Sequence, residues 1–122
     1  MKLDYRTIYQ HAPCGYLSTK EDGTLIEVND TFLDFTGYAR EEIIESKRFD
    51  DFLSIGGKIY YETHFSPLLH MQGEASQINF DFIRKDNTRF PALINATRLA
   101  FGNNQQSYLQ FIVLDITQRK QY

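Results

Sequence analysis

Apolar and polar positions change rhythm several times along the chain, and each change falls on a turn signal. Residues 5–11 are weakly amphipathic and predict a short helical turn, ended at Ala12-Pro13 because a residue before proline avoids the helical region. Residues 15–19 and 24–28 carry apolar and β-branched side chains and predict two strands. Asp22-Gly23 between them supplies the positive φ of a tight hairpin. Asn29 or Asp30 can cap the next segment, in which Phe32, Leu33, Phe35 and Thr36 recur at helical spacing until Gly37 stops it. Two more short helical pieces are predicted over 38–44 and 48–53, the first with Glu41 and Glu42 where the helix dipole favours acids. Gly56-Gly57 reads as a break before the longest helical candidate, residues 58–71, closed by Gly73. Tyr61, Phe65, Leu68 and Leu69 share one face of it, and Pro67 should kink or divide it.

The remaining pattern is that of three strands. Residues 77–84 alternate Ile78, Phe80 and Phe82 against Asn79 and Asp81, and residues 85–88 form a turn. A longer strand over 89–101 has Pro91 near its start, where a missing donor is tolerated. Residues 102–106 read as a loop and 108–116 as a final apolar strand; the polar stretch 117–121 could begin a helix. Two strands, several short helices and three strands predict an α+β fold, a five-stranded antiparallel sheet with short helices packed on one face. The expected divisions are an N-terminal helical cap segment over 1–14, one domain over 15–117, and the start of an outgoing linker helix over 118–122.

Composition narrows the classes. A chain of 122 residues suits one domain with a real but not generous core. Net charge is −3 and the basic residues are scattered, so a nucleic-acid footprint is not expected. The single cysteine, Cys14, cannot form an internal disulfide, which fits a reducing compartment. The sequence shows no apolar run of membrane-spanning length and no apolar segment after Lys2, so a cytoplasmic location without direct membrane contact is expected.

Four segments carry a resemblance. Asp22-Gly23-Thr24-Leu25-Ile26-Glu27-Val28-Asn29 is a hairpin ending in the Asn that opens a helix. Phe32, then Thr36-Gly37-Tyr38, then Glu41-Glu42-Ile43 follow it. Lys85-Asp86-Asn87-Thr88-Arg89-Phe90 is a late turn, and Asp115-Ile116-Thr117-Gln118-Arg119-Lys120 closes the chain. In this order and spacing, over about residues 8–120, they resemble the PAS (Per-ARNT-Sim) sensory family. The stretch from Phe52 to Phe65 is similar to a bacterial subgroup of it. Asn87 stands where that family often has Gly, and Asn also tolerates positive φ. The resemblance implies a non-catalytic module of a larger bacterial signalling protein, ahead of a histidine kinase, a cyclic-di-GMP enzyme or a serine phosphatase. It implies a cavity between the central helices and the inner sheet face, and an outgoing end, here Asp115 and Thr117, that passes the signal to a C-terminal effector. Those two residues could equally cap the next helix, and the two roles are compatible.

Candidate chemistry is sparse. The sequence contains no nucleophile elbow, phosphate loop, zinc-protease or dinucleotide motif, so no catalytic residue and no metal ligand is assigned. His64 and His70 are six apart and do not share a helix face. Haem through His64 is the one cofactor weighed, because haem-binding members of the family use a histidine on that helix; it is not favoured. A flavin-cysteinyl adduct is not expected, since Lys47 to Leu53, where light-sensing members carry their cysteine, has none. Phe35, Leu53, Tyr61, Phe65, Phe80 and Phe82 are core residues or, if the core is not full, the lining of a small-molecule pocket, with Asn95 and Thr63 as polar contacts. The alternative is a ligand-free homodimer through Tyr5, Ile8, Tyr9 and the outer sheet face.

Overall fold

The computed structural model describes residues 4–101 and 106–117. The predicted loop over 102–106 therefore lies outside the described residues except for Gln106, and the predicted linker helix except for Thr117. Five antiparallel strands form one sheet: β1 (Gly15–Thr19), β2 (Leu25–Val28), β3 (Glu74–Ile83), β4 (Arg89–Phe101) and β5 (Gln106–Asp115). Their order is β2-β1-β5-β4-β3. Helices α2 (Asp30–Thr36) and α3 (Arg40–Ile43), a 3-10 turn over Phe49–Phe52, and α4 (Ile55–Tyr60) and α5 (Ser66–Gln72) fall between β2 and β3, while α1 (Tyr5–Gln10) precedes the sheet. This is the α+β architecture expected from the sequence.

The core lies between the helices and one sheet face. Strand alternation sends Leu17, Phe80, Phe82, Phe90, Ala92, Ile94, Leu109, Phe111 and Val113 inward. The helical side contributes Phe32, Ile43, Phe49, Phe52, Tyr61, Phe65 and Leu69. Helix α2 begins where predicted: the Asn29 side chain accepts from the Phe32 N–H at 3.0 Å. Gly37 ends it at φ +81°, in the left-handed region that glycine enters without strain. Asn87 sits at φ +70° in the β3–β4 turn, as its side chain allows.

Asn29 does more than cap. Its carboxamide oxygen also accepts from the Tyr16 N–H at 2.9 Å, and its nitrogen donates to the carbonyls of Tyr9 at 2.8 Å and Cys14 at 3.0 Å. The side chain is fully buried with all four hydrogen-bonding positions used. The sheet and α2 approach closely here because residue 15 has no side chain: a Cβ on Gly15 would lie 3.1 Å from the Phe32 ring.

One expectation is corrected and another takes a specific form. Gly56 and Gly57 do not break the chain; they lie in the first turn of α4, where the Ser54 hydroxyl accepts from the Gly57 N–H at 3.2 Å. A side chain on Gly57 would crowd Leu53 and Phe80, so glycine there serves close packing. Around Pro67 the helical run is divided into pieces of different type, as expected, while the backbone stays helical across the junctions. Backbone dihedrals stay right-handed helical through Tyr60, Tyr61, Phe65 and Ser66. Between α4 and α5 a wider turn, Tyr61–Phe65, intervenes, in which the Ser66 N–H reaches back five residues to the Tyr61 carbonyl. Pro67 has no N–H for a normal bond to Thr63, and the wider turn accommodates that loss. The Thr63 hydroxyl donates to the Ile59 carbonyl at 2.7 Å.

The Asn29 network gives a direct test. Asn29→Ala leaves two N–H groups and two carbonyls without their partner, and should cost about 3 kcal/mol or more, at 1–3 kcal/mol for each buried group left unpaired. Asn29→Asp keeps the two acceptor bonds but sets a carboxylate oxygen against two carbonyls, and should be destabilised to a similar degree. Urea unfolding of the three proteins with a common slope measures this; a loss below about 1 kcal/mol in the alanine variant would refute the role given to Asn29.

Candidate functional site

The layer between helices and sheet is an aromatic stack. Phe49, from the 3-10 turn, lies flat on Phe111 of β5, with centroids 4.0 Å apart and planes 11° apart. Tyr61 and Phe65 stack on each other at 5.4 Å, and Phe49 touches both. Phe80 and Phe82 of β3 meet this group edge-on, at 5.5 Å from Phe65 and 5.7 Å from Phe49 respectively. Edge-to-face and offset pairs of this kind add roughly 0.5–1.5 kcal/mol each beyond their buried area. Tyr61 and Phe65 reach the stack because both face the sheet across the wide turn, one turn apart.

One polar group enters this layer. Asp50 sits between the buried Phe49 and Phe52, itself only 8 % exposed. Its Oδ1 has no hydrogen-bond partner among the described residues. The Arg48 guanidinium lies 3.3 Å away as an ion pair that lacks hydrogen-bond alignment. Burial, and then the charge of Asp50, push the Tyr61 phenol well above its ordinary value. Next to Phe49 the chain therefore carries a buried carboxylate oxygen that accepts no hydrogen bond and whose charge is felt by the Tyr61 phenol.

The residues proposed to line a pocket divide. Leu53, Tyr61, Phe65, Phe80 and Phe82 all converge on this layer, each at most 4 % exposed. Leu53 also bridges backbone to backbone with Phe82. Phe35 is half-buried at the margin, edge-on to Phe90 at 5.9 Å. Asn95 does not join them. It alternates with the inward Ile94 and Ala96, so it belongs to the outer sheet face, in register with Ile112. There it accepts from the Gln77 N–H at 2.7 Å, supporting a bulge in β3 where Gln77 takes φ +58°. Thr63 is exposed and bonded to its own helix. His64 is also exposed, stacked on Tyr60 at 4.9 Å, and its Nδ1 meets the Thr63 hydroxyl rather than the aromatic layer. Among the described residues no three His, Cys, Asp or Glu side chains gather as a metal site, and no helix is long and apolar enough to cross a membrane.

At the end of β5, the Asp115 carboxylate accepts from both the N–H and the hydroxyl of Thr117, at 2.9 and 2.5 Å. The Ile116 N–H donates to the Pro91 carbonyl at 3.0 Å. The strand end is thus fixed in direction by its own side chains and by β4. The same strand carries Phe111 and Val113 in the core, a few residues from this turn.

On the opposite side, α1 buries none of its residues. Tyr5 is 89 % exposed, and Tyr5, Ile8, Tyr9, Pro13 and Tyr16 line an open groove of about 630 Å³. Polar bonds hold this segment instead. Gln10 Oε1 accepts from the Asp30 N–H at 2.8 Å and from Arg40 at 3.2 Å, and the Thr31 hydroxyl donates to the Ala12 carbonyl at 2.6 Å. Sequence reading missed Arg40 and Asp50 as organising groups. Their signal is faint, since each is a charged residue in a polar run and only the fold brings its partners to it.

Comparison with known proteins gives a consistent picture. A family model described as a PAS domain matches residues 13–118. The chain is 27% identical over 111 residues to the phosphoserine phosphatase RsbP of Bacillus subtilis, covering 91% of this chain and 27% of that protein. It therefore spans about a quarter of the length of that relative. Among solved structures, the PAS domain of a protein from Colwellia psychrerythraea superposes with TM-score 0.83 at 17% identity, covering 94% of this chain and 96% of the other. A PAS domain from a two-component sensor histidine kinase gives 0.75 at 13% identity, covering 91% and 92%.

The phenols set an alkaline limit. Burial, then the charge of Glu27, push Tyr9 up to about 12, and Tyr61 is raised as well. Both are protonated more firmly in the folded chain than in the unfolded one. Their contribution is complete below the unfolded value of about 10 and is lost as pH rises above it. Urea midpoints should therefore fall between pH 10 and 12, and Tyr61→Phe should flatten that fall. An alkaline limb unchanged by Tyr61→Phe would contradict the burial of this phenol.

Proposed function

Because the chain belongs to the PAS-domain family, we propose that it is a non-catalytic sensory module that takes up a small, largely apolar molecule and relays its presence to an effector domain of a larger bacterial signalling protein. The observation that supports this reading is the buried Asp50 carboxylate next to Phe49, whose Oδ1 accepts no hydrogen bond and meets only the Arg48 guanidinium. Such an oxygen has a nearby charge but lacks a well-aligned donor, and a donor supplied to it would be favourable. A ligand with an aromatic or aliphatic body and one hydrogen-bond donor would supply it while spreading Phe49 and Tyr61 from Phe111. Leu53, Tyr61, Phe65, Phe80 and Phe82 would line its site. Displacement of Phe111 would be felt along β5 at the Asp115–Thr117 turn, which sets the direction of the outgoing chain. The ligand shifts this equilibrium only by binding the opened state better than the closed one. The likeness to RsbP and to a histidine-kinase domain supports a phosphatase or kinase as the effector. A cytoplasmic setting accords with this reading.

A second reading rests on a different observation. The apolar side chains of α1 are uncovered and lie along the groove at Tyr16, as a homodimer contact through this segment and the outer sheet face would require. Under that reading the packed aromatic layer is only a core, and the module associates without a ligand.

Native mass spectrometry of the purified chain separates the two. The sensor reading expects a retained mass of small-molecule size in the wild type, lost in Asp50→Leu while circular dichroism is unchanged. A bare chain mass for the wild type, purified gently and from several hosts, would reject it. The association reading expects a dimer whose dissociation constant rises at least tenfold in Ile8→Lys, equivalent to about 1.4 kcal/mol. A wild type that stays monomeric at the highest accessible concentration rejects that one.

A further inference from the structure

The fold treats the two edges of its sheet differently. At the β2 edge the segment after α3 covers the backbone. The Leu25 N–H donates to the Lys47 carbonyl at 2.9 Å, the Glu45 N–H donates to the Leu25 carbonyl at 2.8 Å, and Thr24 bridges Arg48. At the β3 edge only the last residues are covered. There Leu53 bridges Phe82, and the Ser54 N–H donates to the Asp81 carbonyl at 3.2 Å. In an antiparallel ladder both backbone groups of a residue point to one side, and the side alternates along the strand. The Asp81 carbonyl faces away from β4, so Asn79, two residues earlier, also turns its N–H and carbonyl outward. No strand lies beyond β3 to receive them.

Beside this open stretch runs a groove of about 490 Å³ between β3 and the start of α4, with Gly56 and Tyr60 on one side and Asn79 and Asp81 on the other. Gly56 keeps it open, since a Cβ there would meet nothing within 4 Å. Tyr60 is 42 % exposed and edge-on to Phe80 at 6.0 Å, which offers an aromatic wall to an incoming side chain. β3 has none of the lysines or prolines that blunt exposed edges. A bulge between Ala75 and Ile78 interrupts the ladder, so the stretch fit for pairing is short.

Charge selects the occupant. Asp81 is the one charged residue lining the groove, and among the described residues its carboxylate has no ion-pair partner. The other ionisable residue of β3 is Glu74, and the strand carries no basic residue. A second copy paired two-fold on this edge would set an acidic strand against an acidic strand. A chain with a lysine or arginine next to its paired residue complements it.

We propose that the β3 edge is a docking site for a short, extended segment of a partner protein that bears a basic residue and adds to the sheet as a further strand. The residue opposite Asn79 exchanges two backbone hydrogen bonds with it. A neighbouring lysine or arginine meets Asp81, and an apolar side chain lies against Tyr60 over Gly56. The contact is small, so it suits a transient partner rather than a permanent subunit. The site uses neither Asp50 nor α1, so it stands apart from both readings above.

The test titrates the isotope-labelled chain with a capped probe pentapeptide, Thr-Lys-Val-Lys-Thr, and follows the amide resonances by NMR. Saturable shifts are expected at Asn79, Asp81 and Tyr60. The same peptide with its central valine N-methylated loses a backbone donor and should bind about tenfold more weakly. Asp81→Asn should weaken binding about two- to fivefold, the size of an exposed ion pair, and a peptide with glutamate in place of lysine should bind more weakly still. Gly56→Leu fills the groove and should abolish the shifts while circular dichroism is unchanged. No saturable shift at Asn79 overturns the proposal, as does equal binding of the N-methylated or the glutamate peptide. An Asn79 resonance that moves on dilution of the peptide-free chain gives the edge to a second copy and overturns it too. None of these readouts depends on a molecule in the aromatic layer or on a dimer through α1.

Discussion

The carboxamide of Asn29 is the joint on which the other elements are hung. A primary amide offers two donors and two acceptor positions, and here each meets a different backbone group. No other short side chain can do this. Aspartate lacks the donors, serine lacks the reach, and leucine would leave four buried polar groups bare. The joint fixes where β1 starts, how α2 leaves β2, and where α1 rests. Gly15 lets Phe32 lie against the strand, which in turn seats the first ring of the aromatic layer. The same cluster holds a segment that buries no apolar residue of its own. The attachment of α1 is therefore specific in geometry but gains little from the hydrophobic effect, which is the combination that a detachable or exchangeable contact needs.

The long helix shows a second constraint resolved locally. Proline at position 67 removes a donor within a segment that must still present Tyr61, Phe65 and Leu69 to the sheet. In the wider turn before it the Ser66 N–H reaches back to the Tyr61 carbonyl and the Thr63 hydroxyl donates to the Ile59 carbonyl. Such a turn is less tightly determined than regular helix. It stands where Tyr61 and Phe65 touch Phe49.

Much of this was readable in the residues. Strand rhythm, the Asp-Gly turn, the left-handed Gly37 and the Asn29 cap all depend on near neighbours, and they came out where the sequence placed them. Most of the apolar candidate residues converge as expected, because large apolar side chains on the inward side of strands and helices have one place to go. Asn95 failed for a reason of parity: one step along a strand exchanges faces, and its chemistry could not reveal which face it was on. The Gly56-Gly57 pair was misread because a glycine in a first helical turn that must pack closely resembles a glycine in a loop. Asp50, Arg40 and the partnership of His70 with Glu21 were not legible. Arg40 and His70 meet partners far away in the chain, and the burial of Asp50 beside its near neighbour Arg48 is set by the surrounding fold; charge pattern along a chain carries no record of either.

The strand order has a consequence in time. The final strand, β5, occupies the centre of the sheet and is the only one hydrogen-bonded to both halves, β1–β2 on one side and β3–β4 on the other. During synthesis the two hairpins and the intervening helices emerge with their apolar faces formed but with nothing to join them. The sheet can close only after β5 has left the ribosome, with pairings between β1 and β5 that lie far apart in the chain. Non-local closure of this kind is slow relative to local structure and leaves apolar edges open meanwhile. The element that completes the fold is also the one that leads toward whatever follows it. A nascent chain would therefore bring the two halves of the sheet together in a single late step, along with the strand that joins them.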